Sequence, residues 1–460
     1  MSASVETDQQ DILNLQRANF SIMPSTMPTR RTFLHASAAT ASATVLTRAI
    51  AAENLDNSNA ILPPAIAALK SVKDQVHPIT TEERLARQEK ARHLMEANDL
   101  DAIILMEGTS LNYFTGIRWW GGERMFAMVL PAKGTAFYVC PAFEEGRARE
   151  QVASAPESGQ ADVRTWQEDE SPYQRLAQGL KDRGILTGKV GIEETVRFVF
   201  RDGVEKAAPQ ARLMSATPVT AGCRMVKSPA ELALMQLANN ITLTAYEAVY
   251  RSLHDGMTQV DVGRLIAAAH DKLGFSGDAL VEVGEFSAFP HGSTQPQIVR
   301  EGLPVLVDGG CKVEGYQSDI TRLLVIGTVP DKLKKVFDIV HHAQSTALAA
   351  ARPGVECGSI DAAARKIITD AGYGPDYKFF VHRVGHGIGM DIHEWPYLVR
   401  GNSTKLTPGM TFSDEPGIYI RGEFGVRLED DMHITEDGAE LFTPQCPSLE
   451  QPFAPATSSS

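Results

Sequence analysis

The sequence predicts an α/β domain followed by a larger α+β domain, and three observations carry that expectation. At 460 residues the chain exceeds what one ordinary core holds, and its 43% hydrophobic content can fill two. From residue 80 to about 222, amphipathic stretches alternate with short apolar runs, the pattern of helices interleaved with strands. From 223 to about 450, long helical stretches are separated by Gly-rich pieces and antiparallel-looking hairpins, which is how α+β domains are laid out.

The first domain opens with Thr81 to Asn98, where Leu85, Ala91, Leu94 and Met95 fall among charges as on an amphipathic helix. Leu100 to Met106 is a continuous apolar run and predicts a buried strand. Phe126–Leu130, Ala136–Cys140 and Lys189–Ile192 predict further strands, with a helix at Glu144–Val152. The second domain begins at Val226 to Glu231, where Ser228 can cap a helix that has Pro229 in its first position and Glu231 in its third. That helix should run to about Leu253. Others follow at Gln259–Leu273, Lys332–Ala351 and Ser359–Ala371, and residues 451–460 form a polar tail.

Charge and cysteine usage exclude several classes. Against 57 acidic residues stand 44 Lys and Arg, a net charge of −13, and the basic residues are scattered, so nucleic acid is not an expected partner. The five cysteines, Cys140, Cys223, Cys311, Cys357 and Cys446, are far apart and odd in number, which fits neither a disulfide framework nor a zinc ribbon.

Residues 1–52 read as a leader and 53–79, with Leu62-Pro63-Pro64, as a linker. Thr29-Arg30-Arg31-Thr32-Phe33-Leu34-His35 precedes a mildly apolar run, Ala36 to Leu46, and Ala49-Ile50-Ala51-Ala52 has small residues spaced as at a signal-peptidase site. The pattern resembles a twin-arginine signal peptide, which implies export of a folded protein to the periplasm. The apolar run is too short and too rich in Ala, Ser and Thr to span a bilayer, so no membrane span is expected in the mature form.

The chemistry lies in the second domain. In VDGGCKVEGYQSDITR, residues 307–322, one apolar run ends in Asp308 and the next begins just after Asp319, placing two carboxylates where burial is expensive. A second hairpin repeats the arrangement: Met410 to Glu415, a turn through Arg421-Gly422, then Val426 to Glu429. In both, a glycine opens the strand and the acid follows six residues later, Gly302 to Asp308 and Gly409 to Glu415, which suggests an internal pseudo-repeat. Between them, HRVGHGIGMDIHEW brings His382, His386 and His393 in a Gly-rich loop. Taken singly, an Asp at a strand end is usually a turn former and a lone His usually a satisfied structural residue. Four carboxylates and one imidazole together suit two divalent cations, Mn²⁺, Co²⁺, Fe²⁺ or Zn²⁺, because four like charges in one cavity could not otherwise all ionise. There is no Walker A run, HExxH, GxSxG, or GxGxxG after a strand.

Asp308, Asp319, His386, Glu415 and Glu429 fall in the order and local context of the dinuclear ligands of the pita-bread metallopeptidases, the group of methionyl aminopeptidase, aminopeptidase P and prolidase. The resemblance covers nearly all of residues 80–450. Within it, Phe289-Pro290-His291-Gly292 resembles the first active-site His segment and His393 the second. Asn112-Tyr113-Phe114-Thr115-Gly116 resembles the creatinase/prolidase-type N-domain, which methionyl aminopeptidases lack, and the complete ligand set counts against the metal-free creatinase branch.

The resemblance implies an α/β creatinase/prolidase-type domain over 80–222, a pita-bread catalytic domain over 223–450, two divalent metal ions with Mn first, proline-containing di- or oligopeptides as substrates, and a homodimer. Two metals about 3.5 Å apart would share a water, lower its pKa and supply a bridging hydroxide as nucleophile. Glu415 is then the candidate to pass a proton to the leaving proline nitrogen. His291 and His393 would hydrogen-bond the carbonyl or the oxyanion, while His382 and Arg427 would orient the ligands. Arg400 is the candidate clamp for a free proline carboxylate, which a dipeptidase must recognise. A Xaa-Pro dipeptidase (prolidase) is the first expectation and aminopeptidase P the second. A non-peptidase hydrolase or lyase on the same scaffold is the third, and a vestigial site is disfavoured by the complete ligand set.

Overall fold

Ile103 and Leu105 leave strand β1 (Ala102–Met106) on one side, Ala102, Ile104 and Met106 on the other, and all five are buried in two separate cores. That is why this stretch reads as an unbroken apolar run. The sheet around it, in the computed structural model of the chain, continues with β2 (Ala127–Pro131), β3 (Phe137–Pro141), β4 (Asp162–Trp166), β5 (Lys189–Ile192) and β6 (Arg212–Ser215), in the order β4-β3-β2-β1-β5-β6. The structure describes residues 62–453 apart from 120, 157, 158 and 160, so the twin-arginine leader lies outside the described residues. Within the stretch read as a linker, helix α1 (Pro64–Ala67) buries Ile66, and Val72 N donates to Leu273 O at 3.0 Å, docking this segment on the second domain.

Helices α2 (Thr81–Ala97), α3 (Thr109–Thr115) and α4 (Glu145–Val152) cover one face of the sheet together with α7 (Thr217–Arg224), while α5 (Pro172–Asp182) and α6 (Phe198–Ala207) cover the other. The second domain starts with α8 (Pro229–Tyr250). Ser228 Oγ accepts from Glu231 N at 3.3 Å and Glu231 Oε2 accepts from Ser228 N at 2.9 Å, the reciprocal cap expected from the sequence. Helices α9 (Gln259–Leu273), α10 (Asp331–Ala350) and α11 (Cys357–Ile368) follow.

Two sheets build the rest. The first runs β10 (Ile320–Val325), β8 (Pro304–Val313), β7 (Gly277–Val283), with β9 (Tyr316–Gln317) returning on the end of β8. The second runs β12 (Glu394–Leu398), β11 (Gly385–Gly387), β13 (Thr411–Asp414), β16 (Asp430–Ile434), β17 (Ala439–Leu441), and a ribbon of β14 (Gly417–Ile420) and β15 (Phe424–Arg427) projects between β13 and β16. Side chains of α10 and α11, among them Phe337, Val340, Ile360 and Ala364, pack with Leu306, Leu323, Phe412 and Met432 in one core.

The pseudo-repeat is visible in the backbone. Gly302 and Gly409 both adopt left-handed conformations, φ +76° and +85°, and each donates its N–H at 2.8 Å to an isoleucine carbonyl, Ile326 and Ile434, closing the β8/β10 and β13/β16 hairpins. In two respects the hairpins differ from the sequence expectation. Asp308 sits inside β8, and the chain turns only at Glu314-Gly315, because Gly309 and Gly310 let the strand pass close to its neighbours: a Cβ on Gly310 would stand 2.0 Å from Ser318 O. In the second hairpin the chain turns at Arg421-Gly422 as expected, but the strands flanking that turn, β14 and β15, pair as a separate ribbon between Glu415 and Glu429.

Candidate metal centre and active site

Asp308 from β8, Asp319 just before β10, His386 in the middle of β11, Glu415 just after β13 and Glu429 just before β16 all line one cavity of about 580 Å³. Asp319, His386 and Glu429 are buried and place donor atoms within 4.8 Å of one another. His386 Nε2 lies 3.3 Å from Glu415 Oε1 and 3.7 Å from Asp319 Oδ2. Its Nδ1 is 3.1 Å from Gly387 O, so Nδ1 carries the proton and the Nε2 lone pair faces the acids. The Thr321 hydroxyl stands 3.0 Å from Asp308 Oδ1 and 2.6 Å from Glu429 Oε2.

Around these donors the cavity wall is imidazole and guanidinium. His291, His382, Arg383, His393 and Arg427 all line it. Arg427 is buried, not the surface pair that such residues often make. It binds Asp308 through Nη2, Thr321 Oγ1 through Nε at 3.1 Å, and both Tyr419 Oη (3.0 Å) and Pro290 O (3.1 Å) through Nη1. Tyr419 Oη is also 2.7 Å from His382 Nε2, giving a chain from Arg427 through Tyr419 to His382. His382 Nδ1 donates to Arg383 O at 2.8 Å and lies 3.8 Å from Glu415 Oε2. His291 and His393 are the exposed members of the wall, and the His393 ring is 4.0 Å from that of His386, centroid to centroid.

Residues 233–436 match Metallopeptidase family M24, and residues 87–226 match the Creatinase/Prolidase N-terminal domain. A Xaa-Pro dipeptidase of Lactobacillus delbrueckii subsp. lactis is 32% identical over 77% of this chain and 96% of its own length. The chain belongs to metallopeptidase family M24. The crystal structure of dipeptidase PepE from Mycobacterium ulcerans superposes with a TM-score of 0.76 at 33% identity, covering 81% of this chain and 99% of that one. A recombinant prolidase from Thermococcus sibiricus gives 0.72 at 29% identity, covering 80% and 98%. The two domains are therefore the creatinase/prolidase-type N-domain and the M24 pita-bread domain, and the chain is a peptidase.

The electrostatics of this M24 cavity fit divalent cations. Burial, then repulsion by Asp308, pushes the Asp319 carboxyl well above the ordinary range; burial, then Asp319, does the same to Glu429. Burial raises Glu415 to about 7 against the opposing pull of Arg427. As protein groups alone the acids cannot all ionise, whereas positive charge among them would allow it. Burial lowers His386 well below the usual imidazole value and His382 to about 3, keeping both rings neutral, the form in which imidazole binds a metal. Behind the site, Arg322 is fully buried, paired with Asp430 at 2.6 Å, and donates to Glu429 O at 2.9 Å. Removing one member of such a pair costs about 3–5 kcal/mol, so Glu429 is held by a costly strut.

Over the ring of Tyr377, a residue of the cavity lining, and 5.2 Å from its centroid stands the guanidinium carbon of the expected clamp, Arg400. Its side chain is half exposed, paired with Asp376 at 2.9 Å and not on the cavity lining, although its neighbour Val399 is. Arg383 does line the cavity; its guanidinium carbon lies 4.1 Å from the Tyr397 ring centroid, and it has no ion pair among the described residues. Arg383, Thr321 and Tyr419 escaped sequence reading. The available signal for Arg383 was a lone cation between two histidines, His382 and His386, with no acid within four residues on either side.

Proposed function

We propose that this chain is a dinuclear-metal peptidase hydrolysing Xaa-Pro bonds, a Xaa-Pro dipeptidase (prolidase). The observation that carries the reading is the convergence of Asp308, Asp319, His386, Glu415 and Glu429 on one cavity walled by His291, His393 and Arg383. The names of the relatives, Xaa-Pro dipeptidase and prolidase, support the bond specificity.

The five donors would hold two divalent cations, Mn²⁺ first and Co²⁺, Zn²⁺ or Fe²⁺ as alternatives. When bound, such cations acidify a shared water and polarise the peptide carbonyl. Glu415, one of the five donors on that cavity, is placed to take up a proton and deliver it to the proline nitrogen, which must be protonated to leave. His291 and His393 stand on the wall where an N–H can meet the carbonyl oxygen as charge develops on it. Arg383 supplies a guanidinium free to bind a carboxylate, which a dipeptide offers on its proline and a longer peptide offers further away.

A second reading, Xaa-Pro aminopeptidase, shares everything except that carboxylate contact. Turnover of Ala-Pro against Ala-Pro-Ala, with metal content measured on the same preparation, separates the two. Preference for Ala-Pro with two metals per chain is expected. Preference for the tripeptide moves the assignment to the aminopeptidase, and no release of the N-terminal alanine from either peptide rejects both. We further infer export through the Arg30-Arg31 leader and function as a homodimer, which sedimentation velocity would test.

A further inference from the structure

His393 is bracketed by two carboxylates that one guanidinium holds. Arg224 Nη2 donates to Asp391 Oδ2 at 2.5 Å and also to Glu394 Oε2, the residues two before and one after His393. Each acid has a second anchor. Thr109 Oγ1 donates to Asp391 Oδ1 at 2.5 Å, and Lys227 Nζ donates to Glu394 Oε1 at 2.5 Å. A third tie follows at once, from Trp395 Nε1 to Glu194 Oε1 at 3.0 Å. The packing is close: a Cβ on Gly389 would stand 2.2 Å from Glu394 Oε1.

Most of these anchors come from the N-terminal domain. Thr109 opens α3, Glu194 follows β5, Arg224 ends α7, and Lys227 lies just beyond it. The Arg224 and Glu394 side chains are 10% and 7% exposed. Buried charge pairs need exact partners and are poor at stability alone, so their presence asks for another role. His393 itself makes no hydrogen bond among the described residues beyond its ring contact with His386. Its position is therefore set by its loop, and Arg224 is the one side chain among these anchors that binds both flanking acids.

We infer that Arg224 is a positioning residue for His393, so that the N-terminal domain holds part of the catalytic wall in place. The inference rests on the peptidase reading above and on His393 meeting substrate. Displacing a catalytic group by about 1 Å can cost about 100-fold in rate, so the strut should act on kcat.

The test is a double-mutant cycle on Ala-Pro hydrolysis by the metal-loaded enzyme. Arg224→Met should lower kcat roughly 10- to 100-fold with KM within about threefold and metal content unchanged, and Arg224→Lys should recover part of the loss. In a His393→Ala background the same Arg224→Met change should cost less than about twofold, since there is no longer a ring to misplace. Should Arg224→Met fail to fold, Asp391→Asn, which leaves the Arg224–Glu394 pair intact, should give a smaller loss that likewise vanishes without His393. Equal losses with and without His393, or no loss at all, would overturn the inference and leave Arg224 as a structural bolt. A wild type that cleaves no Xaa-Pro peptide would instead reject the functional reading.

Discussion

Thr321 and Glu429 exchange backbone hydrogen bonds, N to O 3.3 Å in each direction, at the point where the two acid-bearing hairpins meet. Each lies five residues before the carbonyl that closes its hairpin, Ile326 and Ile434, so the two positions are equivalent in the pseudo-repeat. One bears a carboxylate facing the cavity and the other a hydroxyl bonded to that carboxylate at 2.6 Å. Thr321→Val keeps the shape and removes the bond. Metal affinity should fall about 10- to 100-fold with the fold intact. Activity followed during chelator titration measures it, and an unchanged midpoint would reject the role given to Thr321.

Asp308→Ala and Glu429→Ala each remove a donor from the cavity without touching the core beneath α10 and α11. Both variants should fold, lose hydrolysis and bind fewer than two metals per chain, and chelation of the wild type should abolish activity until metal is restored. Full activity with two metals bound in either variant would contradict the ligand assignment.

How much of this was legible depends on how local the signal is. The Ser228–Glu231 cap is read from four consecutive residues and stands as expected. The spacing from Gly302 to Asp308 and from Gly409 to Glu415 could be read because both glycines sit in left-handed turns that open equivalent strands. The second acids could not be matched in the same way. Asp319 lies two residues before Thr321, so its equivalent in the other hairpin is Arg427, and that offset depends on a cross-strand register no local pattern encodes. The surroundings of Arg400 were hidden for a similar reason: its partner Asp376 comes from a segment 24 residues away, and only the folded path brings the two together.

His270 offers a pH test away from the metal centre. It is fully buried, Nδ1 donates to Ile266 O at 2.9 Å, and burial lowers its pKa below 6.5. A depressed folded pKa means that below about pH 6.5 the unfolded chain takes up a proton the folded chain refuses, so this stability is present above that pH and lost as pH falls. Urea unfolding of wild type and His270→Gln at pH 7.5 and 5.5 should show the wild type losing about 1 kcal/mol more than the variant. Parallel losses would reject it.

If Arg30 and Arg31 are read by a twin-arginine export machinery, replacing both by Lys should retain precursor in the cytoplasm, while wild-type cells export a mature enzyme beginning near Ala52 or Glu53. Fractionation with N-terminal sequencing measures this, and equal distribution of the two forms counts against export by this route.

Arg383 and Arg400 give opposite expectations for the same experiment. Arg383 lines the cavity with no carboxylate partner among the described residues, whereas Arg400 is half exposed and already paired with Asp376. A charge-assisted hydrogen bond to a substrate carboxylate is worth about 1.5–3 kcal/mol, so Arg383→Met should raise KM for Ala-Pro roughly 10-fold or more. Ala-Pro-Ala, whose proline carboxyl is an amide, should respond far less, and the dipeptide-to-tripeptide ratio should fall. Arg400→Ala loses an exposed ion pair, worth about 0–1 kcal/mol, and a contact with the half-exposed Tyr377 ring worth about 0.5–1 kcal/mol, and should leave both substrates within about twofold. Steady-state kinetics of the two variants on the two peptides decide between them: a dipeptide-selective loss from Arg400→Ala would restore Arg400 as the clamp, and an equal loss on both peptides from Arg383→Met would make Arg383 a wall of the site and not a reader of the carboxylate.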